Sequence, residues 1–141
     1  MTKRGCGLVA LAAALMVAAG GSGGDEAKIQ GTWAWAAAEF NGRKAHPENY
    51  ADFRRVFRGD QWANLQGGQP LERGTFRLDP SRSPRAIDLV YSDGQTYEGI
   101  YKLRGDTLEV CTALPGRGRP TKFASRAESG WGLSVYNRAK P

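Results

Sequence analysis

Thr96-Tyr97-Glu98-Gly99-Ile100-Tyr101-Lys102-Leu103 runs through Arg104-Gly105-Asp106 into Thr107-Leu108-Glu109-Val110-Cys111-Thr112-Ala113. Two runs rich in β-branched and aromatic residues, joined by a short polar segment with a glycine, read as a β-hairpin. The design also occurs upstream. Gly74-Thr75-Phe76-Arg77-Leu78 recurs as Gly99-Ile100-Tyr101-Lys102-Leu103, and each copy is followed by an apolar-acidic-apolar triplet, Ile87-Asp88-Leu89 or Leu108-Glu109-Val110. Two successive hairpins of similar build are therefore predicted.

Outward from this pair, the apolar residues alternate with a period of two from Ile29 onward, which is the signature of half-buried strands. Gly31 to Glu39 places Trp33, Trp35 and Ala37 on one face and ends at the turn signal Asn41-Gly42. Arg54 to Arg58 and Gln61 to Leu65 flank Gly59-Asp60 as a hairpin, and Gly67-Gly68-Gln69-Pro70 breaks the chain. Arg73 to Asp79 and Ala86 to Tyr91 follow; Asp93-Gly94 turns into the quoted hairpin. A Pro/Gly/Arg loop from Leu114 to Pro120 leads to a last strand, Trp131 to Arg138. Pro47 to Phe53 is the one helical turn predicted, with proline near its start.

The chain has 141 residues, a length that fits one domain. Its 19 Gly and 7 Pro are too many for a helical bundle and suit an all-β chain that turns frequently. About eight strands joined mainly by tight turns favour an antiparallel up-and-down barrel, because closure removes the exposed edges. An open two-sheet sandwich uses the same strands but needs the longer Greek-key links that are scarce here.

The N-terminus reads as an export signal. Lys3 and Arg4 form a positive start, and the twelve residues Leu8 to Ala19 are all apolar. Twelve are too few to span a bilayer, which needs about 20. Val17-Ala18-Ala19 supplies small residues for a signal peptidase, and Gly20 to Gly24 a glycine-rich spacer. Residues 1–24 thus read as a signal peptide and flexible Gly-rich segment, with cleavage expected near Ala19 to Gly24, and the barrel is expected to occupy 29–138. Lipidation is not expected, because Cys6 precedes the apolar run. The mature chain then has 18 basic residues (20 less Lys3 and Arg4) against 14 acidic, net +4, and a single cysteine, Cys111. No intramolecular disulfide is available to it even in an oxidising compartment. A periplasmic or secreted protein without stable membrane insertion is expected.

Gln30-Gly31-Thr32-Trp33, with its Gly-x-Trp at the first strand, resembles the lipocalin signature. Asp79-Pro80-Ser81-Arg82-Ser83-Pro84-Arg85-Ala86-Ile87-Asp88-Leu89, Gly99-Ile100-Tyr101, Gly105-Asp106-Thr107-Leu108 and Arg119-Pro120-Thr121-Lys122-Phe123-Ala124-Ser125 extend the likeness. In order, they resemble a family of small lipocalin-like proteins abundant in planctomycete bacteria, over about Ile29 to Arg138. The resemblance implies an exported lipocalin-like barrel and assigns no activity. It also implies a closure in which Trp33, beside Gly31, lies across one end under a basic residue of the last strand, for which Arg138 is the candidate. The Ala-rich first strand, Ala36-Ala37-Ala38, departs from the bulkier strand formers expected there.

For a site, Trp35, Trp62, Tyr101 and Trp131 are candidates to line a cavity, with Arg55 among them; ordinary core packing is the competing role. Arg54, Arg55 and Arg58 are candidates to pair an acidic head group. His46 stands alone with only Glu48 and Asp52 near it in sequence, short of the convergent ligands a metal needs. Cys111 is 65 positions from that histidine, so a thiol nucleophile with its base is not expected. Asp88 and Glu109 are predicted to alternate outward rather than meet as a carboxylate pair. Arg54-Arg55-Val56-Phe57-Arg58 and Arg117-Gly118-Arg119 mix basic and aromatic residues, but a charge of +4 scattered among acids does not indicate a nucleic-acid groove. The expectation is a binding protein rather than an enzyme, without metal or cofactor, that holds a small apolar molecule in the barrel mouth. The alternative is an envelope interaction module with a filled barrel.

Overall fold

Nine antiparallel strands follow one another in space almost as they do in the chain. The computed structural model describes residues 24–140, so the expected leader, apart from Gly24, lies outside the described residues. A short helix α1 (Gly24–Ile29) precedes β1 (Gly31–Phe40) and the two-residue β2 (Arg43–Lys44). Next come a 3-10 turn (Pro47–Asn49), β3 (Phe53–Arg58), β4 (Gln61–Gln66), β5 (Gln69–Asp79), β6 (Ala86–Tyr91), β7 (Thr96–Arg104), β8 (Thr107–Ala113) and β9 (Trp131–Arg138). The sheet order is β2-β1-β3-β4-β5-β6-β7-β8-β9, and β9 pairs back onto β1. Eight strands therefore close an up-and-down barrel, with β2 a small extension at its rim. Closure leaves no long edge with unpaired backbone groups.

The alternation seen in the sequence sets the two faces of the wall. Trp33, Phe57, Trp62, Phe76, Ile87, Leu89, Tyr101, Leu108, Val110 and Tyr136 fill the interior as one cluster with Ile29. Burial of this much aromatic and branched surface, at about 25 cal/mol per Å², is what holds together a barrel whose described residues include one cysteine. Gly74 is required inside: a Cβ there would run into the Val90 carbonyl oxygen and lie 3.0 Å from the Trp62 indole nitrogen. The strand can fold sharply against β6 only without a side chain at that point. On the outer face, the 114–130 connection folds over β6 to β8. Arg119 fixes it, donating to the carbonyls of Ile87 (3.1 Å) and Gly99 (2.8 Å) and lying 2.8 Å from Asp88. Beneath it Ala86, Ile100, Cys111 and Ala113 are buried, and its own Pro120 is buried against them.

Several local expectations are corrected. Trp33, Trp35 and Ala37 do not share one face, because the β1–β9 register shifts between Trp35 and Ala37. The bulge reverses the parity, so Ala38 takes the place opposite Ser134 and Ala37 is exposed. β5 begins at Gln69 rather than Arg73. Pro70 sits at the irregularity between Asn64 and Leu65, where a residue without an N–H costs the ladder little. The predicted turn at Pro47 to Phe53 is only the 3-10 segment. α1 was not expected at all. Its acids Asp25 and Glu26 lie in the first turn and Lys28 in the last, the arrangement that complements the helix dipole. Six residues are too few for a stable isolated helix, and tertiary bonds hold it in place.

Candidate functional site

The two ends of the barrel differ. At one end α1 lies across the opening. The Trp33 indole donates to the Ile29 carbonyl at 2.8 Å, and the Arg138 guanidinium stacks 4.3 Å from the Trp33 ring centre. Arg138 also donates to the carbonyls of Lys28 (2.7 Å) and Gln30 (2.8 Å) and pairs with Asp106 (3.0 Å). A cation thus satisfies the orphan carbonyls where the helix ends. Gly31, at φ +117°, carries no Cβ to crowd that guanidinium. Across the helix, Asp25 accepts from the Tyr101 hydroxyl and pairs with Arg85 at 2.9 Å. Tyr101 is consequently a fastening of the closed end and does not line the mouth. Burial and the Asp25 carboxylate together push its hydroxyl well above the ordinary range.

Toward the opposite end the central residue is Arg55. The Arg55 side chain points into the barrel from β3, and the residue is only 6% exposed. Its guanidinium carbon lies 5.0 Å from the Trp62 ring, 5.4 Å from Trp35 and 5.7 Å from Tyr136. Its Nε donates to Asn64 Oδ1 at 2.8 Å, and Asn64 Nδ2 donates to Glu72 at 2.9 Å. The row follows from pairing: Asn64 is directly opposite Arg55 on one side and Glu72 on the other. The two terminal nitrogens of Arg55 meet no acceptor among the described residues.

Aromatic rings surround this cation. Trp35 packs edge-on to Phe53 (6.3 Å) and against Tyr136 (4.7 Å); Trp62 packs on Tyr91 (4.7 Å), and Tyr91 on Tyr97 (4.5 Å). Trp62 forms the buried floor, while Trp35, Phe53, Tyr91 and Tyr97 are half-buried walls. The Trp35 and Trp62 indoles donate to Ser134 and to the Val90 carbonyl. The hydroxyls of Tyr91, Tyr97 and Tyr136 have no partner among the described residues. Tyr91 is pushed up to about 12, chiefly by burial; Arg55 opposes this, and Glu72, Tyr97 and Tyr136 add to it. It stays a neutral donor at physiological pH. The arrangement offers guanidinium and phenol donors amid ring faces, chemistry suited to a carboxylate or similar anion on an apolar body.

Of the candidates drawn from the sequence, the structure brings Trp35, Trp62 and Arg55 together. Trp131 is on the outer face: β9 presents Ser134 and Tyr136 inward, and Trp131 alternates with them. Arg54 also points outward, donating to the Ala51 and Phe53 carbonyls, and Arg58 is exposed, so only Arg55 of the three reaches the interior. Asp88 pairs with Arg119 and Arg77, and Glu109 with Lys102, all on the outer face. Cys111 is buried with its thiol on the Ala124 carbonyl, and burial pushes that thiol up. His46 precedes the 3-10 turn and is exposed. Among the described residues no three His, Cys, Asp or Glu side chains gather as metal ligands do. Asn64, Glu72, Tyr91, Tyr97 and Tyr136 were missed, because their meeting depends on strand pairing that no local signal encodes. No protein family, curated protein or solved structure matches the chain.

Proposed function

We propose that this barrel is an exported binding protein whose mouth takes a small apolar molecule bearing an anionic group. Arg55 carries the reading. A guanidinium removed from water is costly unless its donors are satisfied, and here one donor is bonded, three ring faces attend the cation, and two nitrogens remain for a ligand. Trp35, Phe53, Tyr91 and Tyr97 would cover the apolar part, and the Tyr91 hydroxyl would donate beside Arg55. The resemblance to small exported lipocalin-like proteins bears on export and the barrel, and assigns no ligand. Because Trp33, Phe57 and Trp62 fill the barrel beneath the mouth, the ligand is expected to be short or planar. The test is titration with aromatic carboxylates and short fatty acids, followed by Trp emission and thermal midpoint. A ligand should shift both, and Arg55→Met should weaken binding about tenfold or more while the protein stays folded. If no compound alters either signal, the mouth is not a binding site.

The filled interior favours a second reading, an envelope interaction module without an internal ligand. Native mass spectrometry of the exported protein separates the two: a retained small molecule supports the first, a co-purifying envelope component the second.

A further inference from the structure

We infer that the outer wall of β3 to β5 carries a second binding site, for a single-chain anionic amphiphile. A groove of about 520 Å³ lies there, outside the barrel and away from Arg55's terminal nitrogens. Val56, Ala63, Leu65 and Pro70 give it an apolar floor, and Arg58 and Arg73 stand beside it. The groove exists because the wall lacks bulk at this point. Ala63 is small, and the β4–β5 register shifts between Asn64 and Leu65. Outward residues at successive strands, Val56, Ala63 and Arg73, lie in one row.

Charge selects the occupant. No carboxylate lines the groove, and neither Arg58 nor Arg73 makes an ion pair among the described residues. Both guanidiniums are exposed and uncommitted, and so are available to an acidic head while the floor takes an alkyl chain. Size selects the kind of partner. The volume falls within the roughly 300–1,000 Å³ of small-molecule sites, whereas a stable protein interface needs on the order of 1,000 Å² of well-packed surface. A free monomeric amphiphile therefore fits better than a macromolecule. This site is distinct from the mouth: its cations are Arg58 and Arg73, and Val56, Ala63 and Leu65 lie on the other face of the same strands, Trp62 being the one lining residue whose ring belongs to the interior.

The experiment is an amide-resolved NMR titration of the chain with dodecanoate below its micelle concentration, alongside dodecyltrimethylammonium. Dodecanoate should shift amides between Val56 and Thr75, and the cationic amphiphile should not. Charge reversal in the double variant R58E/R73E should weaken dodecanoate binding at the groove about tenfold or more, with binding of an aromatic carboxylate at the mouth retained. Ala63→Trp, which fills the groove without altering charge, should abolish it, and an unchanged thermal midpoint shows that the fold survives. Dodecanoate shifts confined to Trp35, Tyr91 and Tyr97 would overturn the groove proposal and leave the mouth reading standing. Equal binding of the two amphiphiles, an unchanged affinity in R58E/R73E, or capture of anionic phospholipid vesicles without binding of monomeric dodecanoate would overturn it as well.

Discussion

Arg55 and Tyr91 show how much of a site one residue type can reveal in sequence. Arg55 was legible as a basic residue among aromatics, but so were Arg54 and Arg58 beside it. Alternation alone separates the three, since one step along β3 exchanges interior for solvent. Asn64 and Glu72 were silent, because neither a lone amide nor a lone acid announces that it will oppose an arginine across a ladder. Tyr91 supplies a test of the site's burial. Its hydroxyl titrates at about 12 in the folded protein against 10 for an unburied phenol. The native state then holds a proton that the unfolded chain has lost between those values. The stabilising contribution is complete below pH 10 and disappears as pH rises through about 12. Thermal midpoints measured across that window should fall, and Tyr91→Phe should lessen the fall, the raised Tyr101 phenol contributing to the remainder. A Tyr91→Phe protein with the same alkaline slope as wild type would place the phenol in water instead.

The elements tell a different story. Most strands were readable because period-two alternation bounded by Gly and Asn/Asp turns is a strong local signal, and the repeat at Gly74 and Gly99 marks two inward-facing glycines of equivalent strands. The β1 bulge was not readable, since nothing in Trp35-Ala36-Ala37 distinguishes a regular strand from one with an extra residue. Nor was α1, a helix too short to have a period, which exists because Trp33, Tyr101, Arg85 and Arg138 hold its ends. That fastening has a measurable strength. Trp33→Ala should cost about 3–5 kcal/mol through lost buried aromatic surface, and Arg138→Ala about 0.5–2 kcal/mol through the cation–π contact and the helix carbonyls. Denaturant midpoints of the two single variants and the double variant give the coupling between them. Strict additivity would mean that the ring and the guanidinium do not support each other.

At the scale of the molecule, barrel closure by β1 and β9 brings the two ends of the described chain together. The backbone N–H of Ala139 donates to the Thr32 carbonyl at 2.9 Å, and Arg138 reaches the end of α1. Because Asp25 is a bonded part of the closed end, export processing should spare it. N-terminal sequencing of protein from the envelope or medium is expected to begin between Gly20 and Asp25, and intact Met1 in the cytosol would contradict export. The shared exit has a practical side too. A linker or affinity handle added at either end of the described residues would leave on the side opposite Arg55. Immobilised through such a handle, every molecule would stand with its cup toward the fluid, like a goblet held by its stem, and surface-based binding assays would sample the mouth unobstructed.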